Sequence, residues 1–483
     1  MGSISHLEPK SVFTYFEEMC QIPHGSGNVK QISDYLVKFA KEKNLEYVQD
    51  EALNVIIKKP ASKGFESCPP VIIQGHMDMV AVKKPDCGID MKTEGLKPMT
   101  DGKYVWAEGT SLGGDDGIAV AYAMAILASD DIKHPALEVI ITTDEEVGMD
   151  GAIALDGTQI IGRRMLNIDS EVEGDLLVSC AGGMRVNCHL PIERETKTGL
   201  KYRLTIDGLQ GGHSGVEIHK ERGNANCILG RILYELENVT DVQVISANGG
   251  LADNAIPRTA VLECMISEES KELFVSTVIE LETAIKQELL TKDKDVCVEI
   301  KALGMGEDTV LDKSSTLKMA YLLMGVPNGV CAYSADIEGL VQTSLNLGIL
   351  NLGEEELLLQ FSVRSSLESE KKVLGQKLDA ITKLVGGYTV VSGEYPGWAY
   401  KEDSYLREHM KKVYAEMFDK DLNIVAIHAG LECGIFAGKL DGLDCVSFGP
   451  NLYDIHTTEE RMEVASVQRT WEFILKVLET MKE

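Results

Sequence analysis

The sequence predicts an α/β domain with a mostly parallel sheet, interrupted by an inserted α+β domain. In residues 1–183 helical periodicity alternates with short apolar runs, and the same alternation returns in residues 395–483. In residues 184–394 the strands are longer and alternate apolar with polar residues, which is typical of antiparallel sheets. A chain of 483 residues also exceeds the size at which one core stops growing, so at least two domains are expected.

In residues 1–183, β-branched runs predict strands, and apolar residues spaced three and four apart predict helices. The run VIIQG at Val71–Gly75 begins with β-branched residues on both faces, as expected for a strand buried on both sides. The alanine-rich run at Ile118–Ser129 predicts a helix. The other predicted elements are the helices Ser11–Gln21 and Lys30–Lys43 and the strands Asn54–Lys58, Leu137–Thr142 and Met165–Ile168.

The insert, residues 184–394, has the size of a domain of its own. Its predicted strands are Tyr202–Ile206, Ala260–Ile266, Ser344–Leu350 and Leu357–Val363, and its predicted helices are Ala225–Glu237, Lys271–Leu289 and Lys371–Val385. After the YPGW motif at 395–398, the first pattern resumes with the helix Tyr405–Phe418, the strand Asp444–Phe448 and the helix Val467–Met481. The first domain is therefore expected to be discontinuous, formed by residues 1–183 and 395–483.

The composition indicates which binding partners and which cellular compartment to expect. The balance of 47 Lys and Arg against 76 Asp and Glu gives a net charge of −29, which repels nucleic acid and anionic lipid. The 11 cysteines include no C-x-x-C pair, so neither a disulfide framework nor a thiolate zinc site is indicated. The N-terminal residues lack the features of a secretory signal. We expect a soluble cytoplasmic protein without nucleic-acid or membrane partners.

Acidic residues and histidines follow four of the predicted strands. Open parallel sheets bind ligands beyond the carboxyl ends of their strands, so these residues are expected at one edge of the sheet. A fifth group lies in TSLGGDDG, where glycines permit a tight turn before the alanine-rich helix. The residues concerned are His76 and Asp78, Asp115, Asp144–Glu146, Asp169 and His456.

Each group alone also has a structural interpretation, because an acidic run is usually a solvated loop and GGDDG is usually a helix-capping turn. Together they indicate a metal site, since clustered carboxylates repel one another unless a cation holds them. Two imidazoles with three or more carboxylates suit zinc, manganese or cobalt and contain too much nitrogen for calcium. Two ions about 3.5–4 Å apart would use the whole set, with one bridging carboxylate and a shared hydroxide.

The sequence does not match the other catalytic motifs that we considered. The stretch GGHSGV resembles a nucleophile elbow, but Val216 stands where the second glycine is required. The sequence contains neither G-x-x-x-x-G-K-[ST] nor H-E-x-x-H.

Longer motifs carry a resemblance to a known family. GHMDMV, GTSLGGDDG, TTDEEVGMDGA, NIDSEVEG and the late His456 resemble the dinuclear zinc peptidases that include carnosinase and peptidase T. CAGGM, GGHSGVEIH, NAIPR, YPGW and HAGLECG, in this order, are similar to the cytosolic aminoacyl-histidine (Xaa-His) dipeptidases of that family. The resemblance covers essentially the whole chain and implies a metallopeptidase domain with the insert as its lid.

The resemblance implies two zinc ions, with manganese or cobalt as substitutes, and a role for each residue at the sheet edge. Asp115 would bridge both ions, and Asp78 would hydrogen-bond His76 without binding metal. Glu145 would be the general base that takes a proton from metal-bound water and passes it to the leaving amine. The implied ligands are His76, Asp115 and Asp169 for one ion, and Asp115, Glu146 and His456 for the other.

In the insert, the resemblance implies that His213 of GGHSG donates a hydrogen bond to the oxyanion, with Asn254 of NAIPR as a second polar contact. Arg364 of FSVRSS would grip the C-terminal carboxylate of the peptide. His428 and Glu432 of HAGLECG would line the substrate pocket. A loop histidine at position 213 and a purely structural turn at HAGLECG remain open as alternatives.

The expected function is the hydrolysis of unblocked dipeptides, preferentially those with a C-terminal histidine and including β-alanyl-histidine. One alternative is a related dinuclear deacylase of N-acyl amino acids, and another is a non-catalytic metal-binding protein. Glu145 argues against the latter, because a storage site needs no base beside its ligands. The insert is longer than the lid of dimeric relatives, so whether the protein is a homodimer is left open.

Overall fold

A sheet of eight strands forms the centre of the first of two units in the computed structural model, which describes residues 4–482. This unit is formed by three parts of the chain: the residues up to Cys180, the segment Trp398–Ala426 and the residues from Leu431 onward. The strands lie in the order Glu46–Gln49, Val55–Lys59, Leu137–Thr142, Val71–His76, Arg164–Asn167, Asp444–Ser447, Asp175–Cys180 and Asn423–Ile427.

The centre of this sheet is parallel. Strand Val71–His76 pairs in parallel with Leu137–Thr142 on one side and with Arg164–Asn167 on the other, and the latter pairs in parallel with Asp444–Ser447. The first two strands are buried along their whole length, as the β-branched runs predict. The predicted fold class, an α/β protein with a largely parallel sheet, is confirmed.

One predicted strand joins the sheet with the opposite direction. Strand Val55–Lys59 is antiparallel to Leu137–Thr142 and to Glu46–Gln49. The segment between Lys59 and Val71 contains no helix, and a parallel connection requires a crossover, usually a helix, of a dozen or more residues. The edge of the sheet is therefore antiparallel.

The described residues of the first unit form seven helices. They are Lys10–Cys20, Lys30–Glu42, Gly114–Ala128, Asp150–Ala154, Tyr405–Phe418, Glu432–Lys439 and Val464–Thr480. The alanine-rich helix begins earlier than the predicted Ile118, although the backbone at Asp115 and Asp116 is not helical. A small sheet of the strands Leu452–Tyr453, Arg461–Glu463, Tyr104–Ala107 and Pro98–Thr100 completes the unit.

The second unit comprises Ala181–Gly397 and Ile427–Gly430. Its main sheet has the order Cys297–Leu311, Arg194–Asp207, Ala260–Ile266, Gln243–Gly249, Val341–Leu352, Glu356–Ser365, Gly182–Pro191 and Tyr388–Tyr395, with Gly329–Tyr333 paired beside Val341–Leu352. Its helices are Ala225–Val239, Lys271–Glu288, Lys313–Gly325 and Glu368–Leu384, and a two-residue ladder joins Gly212–His213 to Ala255–Ile256.

The main sheet of the second unit is antiparallel in every pairing given for it, and leucine, isoleucine and valine side chains from its strands and helices form a separate core. This agrees with the alternating pattern predicted for the insert. No helix within residues 4–482 combines the length and the apolar character needed to cross a membrane.

Candidate active site

The carboxyl ends of the central strands bring the predicted residues to one edge of the first unit's sheet. His76 is the last residue of its strand and pairs in register with Thr142, the last residue of the neighbouring strand. On the other side, Asp169 lies two residues beyond the end of strand Arg164–Asn167. This is the edge at which open parallel sheets bind ligands.

His76 is buried, and its two ring nitrogens face different groups. The Nδ1 atom lies 3.0 Å from the main-chain carbonyl oxygen of Asp78 and 3.5 Å from the Asp78 carboxylate. The Nε2 atom lies 3.2 Å from Asp115 Oδ1 and 3.6 Å from Asp169 Oδ1. A proton on Nδ1 donated to the carbonyl oxygen would leave Nε2 free to bind a cation together with the two carboxylates.

Asp115 faces both imidazoles of the site with its two oxygens. Its Oδ1 points to His76, and its Oδ2 lies 3.0 Å from Nε2 of His456. The same His456 nitrogen lies 2.9 Å from Oε1 of Glu146. Asp115 therefore stands where a carboxylate bridging two ions would stand, with a histidine and a further carboxylate on each side.

The donor set fits divalent cations. Oxygen and nitrogen ligands from Asp115, Glu146 and His456 lie within 4.8 Å of one another. The Oε1 atom of Glu146 is buried and has no hydrogen bond, although it lies close to His456. A buried carboxylate oxygen without a donor costs free energy unless a cation or another partner satisfies it. The site could therefore hold one ion on each side of Asp115.

The electrostatics of the cluster favour positive charge. Burial alone would lower the pKa of His76, but the carboxylates of Asp115, Asp169 and Asp78 raise it well above its ordinary value. The carboxylates of Asp115 and Glu146, which lie 3.0 Å and 2.9 Å from His456 Nε2, raise the pKa of His456 to about 10. Protons and metal ions compete for such nitrogens, so metal binding at this site would release protons.

Asp78 holds the acidic turn that follows the neighbouring strand. Its Oδ1 accepts the backbone N–H of Glu145 at 3.1 Å, and its Oδ2 accepts the backbone N–H of Glu146 at 3.4 Å. Oδ2 also accepts the hydroxyl of Ser26 at 2.8 Å. Asp78 therefore connects the end of the His76 strand to the backbone of both glutamates, a contact that the sequence did not predict.

Glu145 is half-buried beside the candidate ligands. Burial raises its pKa well above the ordinary value, and the nearby Asp169 and Glu432 carboxylates add to this effect while His76 opposes it. One of its oxygens lies within 4.8 Å of ligand atoms of both His76 and Glu146. A carboxylate that favours protonation at the edge of such a cluster is suited to accept a proton during a reaction.

Two acidic residues of the site were not singled out from the sequence. The buried carboxylate of Glu460 accepts the backbone N–H groups of Leu112 at 2.7 Å, Gly113 at 3.1 Å and Gly114 at 2.8 Å, and so fixes the turn before Asp115. No local pattern marks Glu460, because these partners lie more than 340 positions away in the chain.

The second of these residues is Asp116. It is buried, its Oδ2 accepts the backbone N–H of His76 at 3.2 Å, and one of its oxygens groups with ligand atoms of His76 and Asp169. A side chain at Gly75 would collide with this carboxylate, since a Cβ there would lie 2.4 Å from Oδ2. The adjacent aspartates of GGDDG could not be distinguished from composition alone.

In the second unit, His213 is held in one tautomer. Its Nδ1 accepts the backbone N–H groups of Gly215 and Val216, both at 3.2 Å, so the proton of the neutral ring resides on Nε2. Burial, and then the charge of Arg364, lowers its pKa, which favours the neutral form. The Nε2–H group is therefore available as a hydrogen-bond donor.

Arg364 is a buried guanidinium without an acidic partner. Its Nη1 donates to the hydroxyl of Tyr395 at 3.1 Å, while Nε has no hydrogen bond. Within residues 4–482, no carboxylate lies at ion-pair distance from it. A buried cation lacking a counter-charge is costly, and a guanidinium binds carboxylates bidentately. Arg364 can therefore receive a carboxylate ligand.

His428 and Asn254 also belong to the second unit. Burial and the nearby Arg364 lower the pKa of His428 to about 3, so its ring is neutral, and its Nε2 lies 2.7 Å from the hydroxyl of Ser344. Asn254 is exposed, and its main-chain carbonyl oxygen accepts the backbone N–H of Ser214 at 2.8 Å, next to His213.

Glu432 forms its hydrogen bonds within the first unit. Its side chain is fully buried in the first unit, where Oε2 accepts hydrogen bonds from Gln74 at 2.5 Å and from the Thr142 hydroxyl at 2.7 Å. Glu432 begins the helix Glu432–Lys439, and the first turn of this helix is buried. Its role in the substrate pocket stays a prediction.

Comparisons with known proteins identify the family of the chain. Residues 72–480 match the peptidase family M20/M25/M40. The chain is 36% identical over 480 residues to the cytosol non-specific dipeptidase of Escherichia coli (strain K12), and the alignment covers 99% of both chains. The confirmed resemblance therefore extends over essentially the full length.

Solved structures give the same result. The crystal structure of aminoacylhistidine dipeptidase from Vibrio alginolyticus superposes with a TM-score of 0.94 at 35% identity, covering 99% of this chain and 98% of that one. The aminopeptidase PepT from Bacillus cereus shares the fold with a TM-score of 0.57 at 16% identity, covering 99% of this chain and 100% of that one.

Proposed function

Because the chain belongs to peptidase family M20/M25/M40 and is a metallopeptidase, we propose that it is a two-metal dipeptidase acting in the cytosol on unblocked dipeptides. The observation that carries the proposal is the full-length similarity to proteins named as dipeptidases, together with the two donor sets that share Asp115. The name of the Escherichia coli relative supports the cytosolic location.

The proposed substrates are Xaa-His dipeptides, including β-alanyl-histidine. The Vibrio alginolyticus relative is named for aminoacyl-histidine substrates, whereas the Escherichia coli relative is named as non-specific. We therefore propose that Xaa-His dipeptides are preferred but that other dipeptides are also cleaved. The strongly negative surface gives no reason to expect nucleic-acid or membrane partners.

The proposed ions are two zinc ions, with manganese or cobalt as substitutes. His76 and Asp169 would hold one ion, Glu146 and His456 the other, and Asp115 would belong to both sets. When bound, divalent cations polarise a carbonyl group and lower the pKa of water. The donor set of imidazoles and carboxylates suits all three metals, so the choice among them needs direct analysis.

The remaining residues have the following proposed roles. Glu145 accepts the proton of the attacking water and passes it to the leaving amine, while Asp78 holds its backbone in place. His213 donates through Nε2–H to the oxyanion, with Asn254 as a further polar contact. Arg364 binds the C-terminal carboxylate beside the neutral His428.

The decisive experiment compares dipeptides with acylated amino acids. Purified protein should hydrolyse Ala-His, β-Ala-His and Leu-Ala after incubation with zinc, manganese or cobalt, and prolonged chelation should abolish this activity. N-acetyl-histidine and N-succinyl amino acids should be cleaved far more slowly. Faster cleavage of the acylated compounds would replace the proposal with a deacylase, and full activity of protein that elemental analysis finds metal-free would overturn the two-metal mechanism.

A further inference from the structure

A cavity of about 810 Å³ opens in the first unit next to Glu146. Its walls come from residues 25–28, 79–81 and 90–92, from Lys83, and from Glu146 and Val147 of the acidic turn. This volume lies in the range of about 300–1,000 Å³ that is typical of small-molecule pockets. None of the roles proposed above uses it.

Hydrogen bonds tie the walls of the cavity to the candidate metal site. Ser26 donates its hydroxyl to Asp78 at 2.8 Å, and Gly27 donates its backbone N–H to Asp144 at 2.6 Å. Because Asp78 also holds the backbone of Glu145 and Glu146, one network fixes both the wall and the acidic turn. The cavity is therefore preformed beside the proposed ligands.

The cavity offers mainly apolar contacts to a ligand. Its side chains include those of Val80, Ala81, Met91 and Val147, of which Val147 is 66% exposed. Exposed apolar surface in a concave site is a place where a ligand can gain free energy by burial.

Two of the charged groups around the cavity, those of Lys83 and Asp90, already have partners. Lys83 donates to the carbonyl oxygen of Ile89 at 2.6 Å. The Asp90 carboxylate accepts the backbone N–H of Lys92 and the hydroxyl of Thr93. With these two groups engaged, the apolar side chains supply a large part of the surface that the cavity offers to a ligand.

We infer that this cavity binds the side chain of the N-terminal residue of the substrate and favours large apolar side chains such as those of leucine and methionine. The inference rests on the proposed dipeptidase function. The carbonyl carbon that is attacked belongs to the N-terminal residue, so the Cα that carries its side chain is one bond from the reaction centre. The proposed anchor for the other end of the substrate, Arg364, belongs to the second unit.

The test is a series of dipeptides that differ only in the N-terminal side chain. The kcat/KM values of Gly-His, Ala-His, Leu-His and Met-His are measured for the wild type, for Met91→Trp and for Ile161→Trp. Met91→Trp narrows the cavity, whereas Ile161 is 69% exposed on the same unit and does not line it. For each protein we compare the kcat/KM for Leu-His with the kcat/KM for Gly-His. The ratio of these two values does not depend on the fraction of folded protein.

In the wild type, Leu-His and Met-His should exceed Gly-His by about 10- to 100-fold, the range expected for filling an apolar pocket. Met91→Trp should lower this ratio by about tenfold, and Ile161→Trp should leave it unchanged. A flat series in the wild type, or an unaltered ratio in Met91→Trp, would overturn the inference while leaving the dipeptidase function standing. Hydrolysis of none of these dipeptides would overturn the proposed function and this inference with it.

Discussion

Glu145 and Glu146 are adjacent in the chain, but their surroundings differ. The Oε1 atom of Glu146 lies 2.9 Å from Nε2 of His456, whereas Glu145 contacts Asp78 through its backbone N–H. If Glu145 is the base and Glu146 a ligand, substitution by glutamine separates their roles. Glu145→Gln should retain two metal ions while kcat falls by about 10²–10⁴-fold, because the amide cannot accept the proton. Glu146→Gln should weaken one metal site.

Metal stoichiometry and kcat measured for both variants test this assignment. Activity of Glu146→Gln should recover in part at high zinc concentration, since its defect lies in metal binding. Loss of metal from Glu145→Gln with two ions kept by Glu146→Gln would reverse the assignment. If neither substitution changed turnover, the proposed mechanism would be wrong.

The buried Glu432 makes folding stability depend on pH. Burial raises the pKa of Glu432 to about 7 from 4.5, so between these values the folded protein holds a proton that the unfolded chain releases. This contribution to stability is fully present below pH 4.5 and is lost as the pH rises to 7. The loss amounts to about 3 kcal/mol, given 1.36 kcal/mol per pKa unit.

Glu432→Gln removes this titration and keeps the acceptor for Gln74 and Thr142. The difference in unfolding free energy between variant and wild type should therefore change by about 3 kcal/mol in favour of the variant between pH 4.5 and 8. Urea denaturation of metal-free protein measures it without interference from metal binding. Parallel pH profiles for the two proteins would show that Glu432 titrates normally.

The turn before the alanine-rich helix is held from a distant part of the chain. Glu460 accepts the backbone N–H groups of Leu112, Gly113 and Gly114 and so orients Asp115, the proposed bridging ligand. Residues that orient a ligand typically contribute 10- to 100-fold to metal affinity. Glu460→Ala should therefore weaken metal binding by about this factor without removing a ligand.

Competition with a chelator measures the metal affinity of this variant. The matched control is Glu459→Ala, because Glu459 is the preceding residue and forms an exposed ion pair with Lys84. The control should bind metal like the wild type, since exposed pairs contribute little. Equal affinities for all three proteins would mean that Asp115 does not need this support.

Elements whose residues carry a strong local pattern could be predicted from the sequence. Strand Leu137–Thr142 and helix Tyr405–Phe418 have the predicted bounds, because a run of β-branched residues or a helical repeat identifies each of them. Strand Cys297–Leu311 was not predicted, because it contains glycines and charged residues and is stabilised by pairing with Arg194–Asp207. Pairing partners far away in the chain are not encoded in a local pattern.

In the candidate site too, residues marked by a local pattern could be predicted and residues placed by distant contacts could not. His76, Asp169 and the acidic turn could be placed together because parallel strands end at one edge of the sheet. The roles of Glu460 and Asp116 could not be predicted, since both depend on hydrogen bonds to backbone groups elsewhere in the fold. The burial of Glu432 likewise depends on Gln74 and Thr142, which lie about 300 positions or more away in sequence.

At the scale of the whole molecule, the proposed ligands and the second core lie in different units. All five ligand candidates belong to the first unit, whereas the second has a hydrophobic core of its own. Units with separate cores can unfold in separate steps. A metal that binds only the folded first unit stabilises that unit alone, by about 2.7 kcal/mol at a concentration 100 times its Kd.

Calorimetry can therefore distinguish the two units. For a unit of this size, chelation should lower the Tm of one transition by about 5–10 °C and leave the other unchanged. His76→Ala, which removes a proposed ligand, should make this transition insensitive to chelation. The Val278→Ala variant changes a residue of the second unit's core. It should lower the Tm of the other transition, because deleting buried methyl groups destabilises the core that contained them. A chelator that shifts both transitions equally would mean that metal binding stabilises the two units together.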